Sequence, residues 1–324
     1  MNRREAVFAL LALGVAPRLV YAQTRPALLA WVLEGATRKR TAVGDAFIES
    51  MREIGLVEGR DYVLDLFWAD GKYERLPALL DAVLKRNPSI ILVGTIASVR
   101  AAQQATKTVP IVMMGTNDPV GSGLVASLAR PGGNTTGLAS MFDDVAAKLV
   151  EFSREGLPKA KRLAVLINPL NPSNRPIFLS LQKAAVSLGM TAEAIEADAP
   201  ERIAGAFTAT SRTRPDVLIT GFDAMLIDQR AQIISLGLAR KIPVVSQSSA
   251  FGDAGALITY GTPTSAFFGR AAVYVKKLLS GAKPAELPVE QPTTFELAIN
   301  MKTAKALGIK IPQTMVVRAD RLIE

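Results

Sequence analysis

The chain contains no cysteine and no histidine among its 324 residues. Without cysteine it can form no disulfide, so its stability has to come from packing of its core. It also offers no thiol for a lipid anchor. Catalysis by Ser-His-Asp or Cys-His systems is excluded, and the commonest metal ligand is missing. We therefore expect no catalytic residue, no metal site and no cofactor.

Charged residues are scarce and evenly spread. They make up 21% of the chain against 49% hydrophobic residues, with a net charge of +9. A basic chain could bind nucleic acid, but that function needs basic residues on one face together with stacking aromatic rings. Lysine and arginine lie along predicted helices instead, as at 85–86, 159–162 and 276–277. This indicates solvated faces, and we expect no nucleic-acid partner.

The N-terminus has the pattern of a secretory signal peptide. Arg3 and Arg4 precede an apolar run at 6–16, and Val20-Tyr21-Ala22 fits a cleavage site. The run is too short for a membrane helix. We therefore predict a signal peptide at 1–22, cleavage after Ala22 and a periplasmic protein. The Arg pair also fits a twin-arginine signal, although Ala6 stands where that motif has a large apolar residue, so both export routes remain alternatives.

Short apolar runs alternate with helical patterns after residue 23. We predict strands at 28–33, 62–68, 90–93, 111–114, 163–167, 191–196, 217–220, 244–246, 256–260 and 295–299. We predict helices between them, at 41–54, 74–86, 144–156, 176–188, 203–211, 226–239 and 265–279. This alternation is typical of βα units in a parallel sheet. Since the chain is about twice the length of a typical domain, we expect two doubly wound α/β lobes.

The segment 117–137, NDPVGSGLVASLARPGGNTTG, follows the fourth predicted strand. Its glycines, prolines and asparagines indicate sharp turns. Such a segment at the carboxyl end of a buried strand lets backbone amides approach a ligand closely. The spacing of these turn residues fits an ordinary surface loop equally well. The segment closely resembles the signature of the solute-binding proteins of ABC importers in the tryptophan-binding-protein-like family.

The resemblance extends over nearly all of the chain after the signal peptide. Further matches are GLVEG at 55–59, Asn-Pro pairs at 168–169 and 171–172, GAKP at 281–284, LPVEQPT at 287–293 and KTAKALG at 302–308. The resemblance implies a type I periplasmic binding protein fold, with two parallel-sheet lobes joined by a hinge that the chain crosses three times. It places 23–117 with 262–287 in the N-terminal lobe and 118–261 with 288–324 in the C-terminal lobe. The implied crossings lie near 115–137, 260–263 and 285–292.

By this resemblance, we expect the periplasmic solute-binding component of an ABC importer. It would close its lobes over a small-molecule solute, an amino acid or related carboxylate that can be aromatic. It would then deliver this solute, as a monomer, to an ABC transporter permease in the inner membrane. One alternative is a sensory module that presents its ligand to a membrane receptor. Another is an exported α/β enzyme using Asp118, Asp223 and Glu34, although no acids show the paired spacing of acid–base catalysis.

Ligands of such folds meet the carboxyl ends of strands that face the cleft. The ligand-binding residues predicted there are Glu34, Gly35, Gly94, Thr95, Ala97, Thr116, Asn117 and Asp118 in the first lobe, Asn168, Asn171, Gly221, Phe222, Asp223 and Gln247 in the second, and Tyr260 at the hinge. Glu34 and Asp223 are the acids expected to pair with a ligand ammonium.

Several of these residues have a structural alternative. Thr95 could cap a helix instead of helping to hold a ligand carboxylate. Asp118 precedes a proline and could hold a turn. Phe222 could stack on a ligand or fill the core. Tyr260 has both an apolar ring and a hydroxyl, which favours a position in the cleft.

The loop after the first predicted strand departs from the family pattern. Many members carry small, serine-like residues there, whereas this chain reads EGATRKR at 34–40. The basic run Arg38-Lys39-Arg40 could receive an anionic ligand or simply face water.

Overall fold

The computed structural model describes residues 25–35 and 42–324. The predicted signal peptide and the basic run at 38–40 lie outside the described residues. The strands are β1 (Ala27–Leu33), β2 (Tyr62–Trp68), β3 (Ile90–Val93), β4 (Ile111–Asn117), β5 (Thr135–Ser140), β6 (Arg162–Ile167), β7 (Thr191–Glu196), β8 (Val217–Thr220), β9 (Val244–Ser246), β10 (Ile258–Gly261), β11 (Glu296–Asn300) and β12 (Arg321–Ile323).

The helices lie between these strands in chain order. They are α1 (Ala42–Glu53), α2 (Leu76–Leu84), α3 (Ile96–Ala105), α4 (Phe142–Gly156), α5 (Asn174–Ser187), α6 (Ile203–Thr213), α7 (Ala224–Asp228), α8 (Arg230–Ala239), α9 (Ser249–Ala254), α10 (Thr264–Leu279), α11 (Met301–Leu307) and α12 (Gln313–Arg318). Over the described ranges, every helix falls short of the length and apolar character that crossing a bilayer requires.

The first sheet has the order β2-β1-β3-β4-β5, and all its strands are parallel. Successive residues of β1 point to opposite faces, so Leu29 and Trp31 pack with α1 and α10, while Ala30 and Val32 pack with α2 and α3. Helices therefore cover both faces. This explains why β3 is buried along its whole length and reads as an unbroken apolar run.

The second sheet has the order β12-β11-β10-β9-β8-β6-β7. Its strands are parallel except for the antiparallel pair β10–β11. One core cluster joins this sheet to α4, α5 and α12, and another joins it to α6, α7, α8 and α9. The predicted architecture of two doubly wound α/β lobes is confirmed.

Strand β5 places the first crossing later than the sequence predicted. We expected the chain to leave the first lobe within 115–137, with a boundary after residue 117. Instead, β5 pairs in parallel with β4, so this segment connects two strands of the same sheet. The chain crosses between Ser140 and Phe142. Gly137 permits the pairing because its φ is +123° and a Cβ atom there would lie 2.5 Å from the backbone nitrogen of Met113.

The other two crossings lie beside the first. After β10 in the second sheet, helix α10 returns and packs against α1 in the first lobe. The third crossing follows Glu290, whose backbone nitrogen donates to the carbonyl of Gly137 at 3.0 Å. Val289 is buried in the core of the first lobe. The predicted boundary between 287 and 288 therefore falls a few residues before the crossing in the structure.

Candidate functional site

A cavity of about 530 Å³ lies between the two lobes. Its lining includes Ser140, Gly261 and Pro292, so all three crossings border it. The carboxyl ends of β1 and β8 approach it from opposite lobes, as expected for a ligand site in α/β folds. The volume falls within the range of about 300–1,000 Å³ that is typical of small-molecule sites.

Aromatic rings form much of the cavity wall. The first lobe contributes Trp31, Trp68, Phe267 and Phe268. The ring of Trp31 lies 6.0 Å from that of Phe268, and Phe268 in turn lies 5.3 Å from Phe267. These three rings therefore hold one another in place.

Three rings of the wall contact no other aromatic ring among the described residues, and one of them, Phe142, is only 3% exposed. The other two are more accessible. Trp68 ends β2 in the first lobe, and Phe222 follows β8 in the second, with 42% of its surface exposed. Within the described part of the chain, neither ring contacts another aromatic ring. Both rings are therefore available to a ligand.

Glu34 is a buried acid in the lining, 7% exposed. Its Oε1 accepts a hydrogen bond of 2.8 Å from the hydroxyl of Thr95. Burial raises the pKa of the Glu34 carboxyl, and hydrogen bonds from Ser98 and Thr95 oppose that rise. Thr95 also caps α3 together with Ser98, each side chain bonding the other residue's backbone nitrogen. The capping alternative for Thr95 therefore matches the structure, and Thr95 reaches the site only through Glu34.

Arg230 is the cation of the lining, and it belongs to the second lobe. Its Nη1 donates to the carbonyl of Ile227 at 3.0 Å, which orients the guanidinium. No ion pair among the described residues involves Arg230. Sequence reasoning missed this residue because it predicted one helix over 226–239. The chain instead breaks at Gln229, which places Arg230 at the start of α8.

Asp223 is the second acid predicted to meet a ligand, but it does not line the cavity. It is 3% exposed, and its Oδ2 accepts hydrogen bonds from the side-chain amides of Asn171 at 2.9 Å and Asn168 at 3.2 Å. Its Oδ1 accepts from the backbone nitrogen of Leu226 at 3.2 Å, capping α7. Burial raises the pKa of this carboxyl against the effect of those hydrogen bonds. The network holds the loop from which Phe222 projects.

The two lobes touch at the edge of the cavity. A Cβ atom at Gly35 would lie 3.4 Å from the Cβ of Ala224 and 3.4 Å from Oδ2 of Asp228, both in α7 of the opposite lobe. Tyr73 of the first lobe lies near both buried acids. Its phenol pKa is raised by burial first, and then by the charges of Asp223 and Glu34. The two lobes therefore meet at this edge of the cavity.

The structure brings five of the predicted site residues to the cavity. These are Glu34, Gly35, Gly94, Phe222 and Gln247. The other predicted residues do not line it, namely Thr95, Ala97, Thr116, Asn117, Asp118, Asn168, Asn171, Gly221, Asp223 and Tyr260.

Most of these ten residues bond to their own lobe. The hydroxyl of Thr116 donates to the carbonyl of Gly94 at 3.1 Å, and Asn117 accepts from the hydroxyl of Ser140 at 3.2 Å. Asp118 holds a turn by accepting from the backbone nitrogen of Gly121 at 2.8 Å.

Gly221 and Tyr260 also pack against residues of the protein and do not face the cavity. A Cβ atom at Gly221 would lie 2.7 Å from Oδ1 of Asn174, so the close packing there requires glycine. The ring of Tyr260 stacks on Phe295 at 5.6 Å and meets the edge of Phe152 at 5.1 Å. Tyr260 thus lies behind a cavity residue, Phe295, at the hinge.

Several of the lining residues that sequence reasoning missed lie on helices. Phe267 and Phe268 belong to α10 and Arg230 to α8, whereas the predicted site residues were chosen at strand ends. Trp68 is the last residue of β2, so the strand-end rule could have found it.

Two α/β lobes, three adjacent crossings and a cavity between the lobes are the architecture of a two-lobed ligand-binding protein. The chain belongs to the ABC transporter substrate binding protein family, whose sequence pattern matches residues 29–323. It is 25% identical over 271 residues to a tyrosine-binding protein of Clostridioides difficile (strain R20291), covering 82% of this chain and 76% of that protein.

Solved structures have the same fold. An ABC domain in complex with L-Trp from Streptococcus pneumonia is 21% identical, with a TM-score of 0.82 over 92% of this chain and 100% of that one. A conserved domain protein of Vibrio cholerae is 26% identical, with a TM-score of 0.83 over 92% of this chain and 100% of that one.

Proposed function

We propose that this chain is the solute-binding component of an ABC importer and that its lobes close on an amino acid with an aromatic side chain. The observation that carries this proposal is the cavity between the lobes, whose wall combines aromatic rings from both lobes with the charged groups of Glu34 and Arg230. The moving units are 25–35 with 42–140 and 264–290, and 142–261 with 296–324.

The arrangement of rings supports an aromatic ligand. Trp68 and Phe222 enter the cavity from opposite lobes and have no ring partner in the described chain. A ligand ring that packs on both makes its full contacts only when the lobes are closed. Ligand contacts that exist only in the closed state shift the population towards closure.

The relatives support the same ligand class. One relative is a tyrosine-binding protein, and one structural neighbour is in complex with L-Trp. Family membership supports a permease as the partner. On this proposal the chain is exported, loses residues 1–22, acts as a monomer in the periplasm and releases its ligand to the permease chemically unchanged.

Intrinsic fluorescence provides a direct test. The chain has two tryptophans, and both Trp31 and Trp68 line the cavity. We expect L-tyrosine or L-phenylalanine to change the fluorescence excited at the tryptophan band saturably, at one ligand per chain. L-Tryptophan is followed by calorimetry because it fluoresces itself.

The panel should also include aliphatic amino acids and aromatic carboxylates without an amino group. Ligand at about 100 times its Kd should raise the free energy of unfolding by about 2.7 kcal/mol, and mass spectrometry should recover it unchanged. Absence of binding by every aromatic amino acid would refute the proposed ligand class. Conversion of the ligand to a product would refute a purely binding function.

A further inference from the structure

Two charged groups of the cavity lining have no partner of opposite charge among the described residues. Glu34 comes from the first lobe and Arg230 from the second. Neither forms an ion pair within the described part of the chain. The other acid of the lining, Asp228, lies at the contact with Gly35 and already has an interaction of its own.

Leaving a charged group unpaired is costly to the extent that the group is buried, and Glu34 is buried while Arg230 is partly buried. Burying a charge without a partner is unfavourable, since the group loses its hydration and gains no attraction in return. The planar guanidinium of Arg230 matches a carboxylate, to which it can donate two parallel hydrogen bonds. Glu34 already accepts from the hydroxyl of Thr95 through Oε1, and its carboxylate can also accept from an ammonium.

We propose that Glu34 and Arg230 together select zwitterionic α-amino acids, Glu34 binding the ammonium and Arg230 the carboxylate of the ligand. The inference rests on the proposed function and assigns the charge specificity of that site. Because the two residues belong to different lobes, only a ligand with both charges pairs with the charged groups of both walls of the cleft. An amine or an acid with the same ring engages the charged group of one lobe and leaves the other unpaired.

Calorimetry with matched ligands tests this assignment. One set is L-tyrosine, tyramine and 3-(4-hydroxyphenyl)propanoate, and the other is L-tryptophan, tryptamine and indole-3-propanoate. The wild-type chain should bind the amino acid of at least one set roughly 10- to 100-fold more tightly than either analogue. Solution scattering should show a smaller radius of gyration with the amino acid than with either analogue.

The variants should separate the two charges. Glu34→Gln should lower the affinity for the amino acid and the amine by roughly 10-fold or more, and leave that for the acid unchanged. Arg230→Met should lower the affinity for the amino acid and the acid by a similar factor, and leave that for the amine unchanged. Arg230→Lys keeps the charge but loses the planar fork, so it should retain intermediate affinity.

Two variants control for changes of charge alone. Arg130 and Glu193 are exposed and lie outside the cavity lining. Arg130→Met and Glu193→Gln should therefore keep wild-type affinities for all six compounds. Circular dichroism and the melting temperature verify that each variant is folded.

The outcomes distinguish this inference from the proposed function. If the wild type binds an amino acid but the variants weaken all three compounds of that set equally, the charge assignment is overturned while the proposed function stands. If no aromatic amino acid, L-phenylalanine included, binds the wild type, the proposed ligand class is refuted and the charge assignment is overturned with it.

Discussion

The two walls of the cleft contain the same kinds of residue in opposite arrangements. On the first wall, at the end of β1, Trp31 is 4% exposed and packs among other rings, while Glu34 lines the cavity. On the second wall, after β8, Phe222 is 42% exposed and lines the cavity. The neighbouring acid, Asp223, is turned into its lobe and bound by two asparagine amides.

The comparison shows that partners, not burial, distinguish the two acids. Glu34 and Asp223 are both buried, and burial raises the pKa of each. Asp223 accepts from two amides and caps α7, so it stabilises its lobe. Glu34 receives hydroxyl donors and lies at the cavity, so it can still accept from a ligand.

Replacing the ring of the first wall should have the largest effect. Trp31→Ala removes ring contacts with Phe47 at 5.5 Å and Phe268 at 6.0 Å and leaves a cavity in the core. We expect the free energy of unfolding to fall by about 3–5 kcal/mol. Urea denaturation measures this change. A loss below about 1 kcal/mol would contradict the view that this ring is part of the core.

Replacing Asp223, the acid of the second wall, should have the second-largest effect on the free energy of unfolding. Asp223→Ala leaves the amides of Asn168 and Asn171 without their acceptor and removes the cap of α7. We expect a loss of about 2–3 kcal/mol in the free energy of unfolding, whether or not ligand is present. Asp198→Ala, at a more exposed acid, is the control. A stable Asp223→Ala protein that has lost only ligand affinity would instead place Asp223 in the binding site.

Glu34, the acid of the first wall, should make the free energy of unfolding depend on pH. Because burial raises the pKa of Glu34, the folded chain holds this proton more tightly than the unfolded chain. The contribution of Glu34 to stability therefore falls as pH rises from the ordinary glutamate pKa towards the raised pKa, by at most about 1.4 kcal/mol per pH unit.

Glu34→Gln removes that dependence, so the ligand-free variant should be more stable than the wild type at neutral pH. Among the described residues, the hydroxyls of Thr95 and Ser98 donate to Glu34, and the phenol of Tyr73, whose own pKa is raised, lies near it. Denaturation curves from pH 4 to pH 8 should converge at the acidic end. Parallel curves for the two proteins would show that Glu34 is not the group responsible.

The ring of the second wall should affect stability least. Phe222→Ala removes an exposed side chain without a ring partner, so the free energy of unfolding should change by less than about 0.5 kcal/mol. Affinity for an aromatic amino acid should nevertheless fall by roughly tenfold, because the ligand ring loses its contact with Phe222 of the second lobe. Calorimetry and denaturation of the same preparation test both parts. Unchanged affinity would remove Phe222 from the site.

Much of the fold could be predicted because many of its strands are short, largely apolar runs, such as β3 and β8. The predicted bounds of β2, β3, β7, β8 and β9 are those of the structure. Strand β5 was missed because its sequence, TTGLAS, is only weakly apolar and becomes buried through pairing with β4. The break between α7 and α8 was missed because the apolar spacing continues across it.

The site was harder to predict than the fold. The strand-end rule led to Glu34 and Phe222, which line the cavity, and equally to Asn168 and Asp223, which bond to each other instead. It could not lead to Arg230, which starts a helix. Side chains at the same topological position differ because hydrogen-bond partners from distant parts of the chain decide which way each one turns.

The sequence by itself determined the alternation of strands and helices, the exclusion of histidine and cysteine chemistry, and a signature that marks the family. Local patterns suffice for these because each depends on neighbouring residues or on composition. Only the tertiary structure decided which acid lines the cavity. Glu34 is bound by Thr95, 61 residues away, and Asp223 by Asn171, 52 residues away. Such contacts form when the sheet brings separate strand ends together, and spacing along the chain does not specify them.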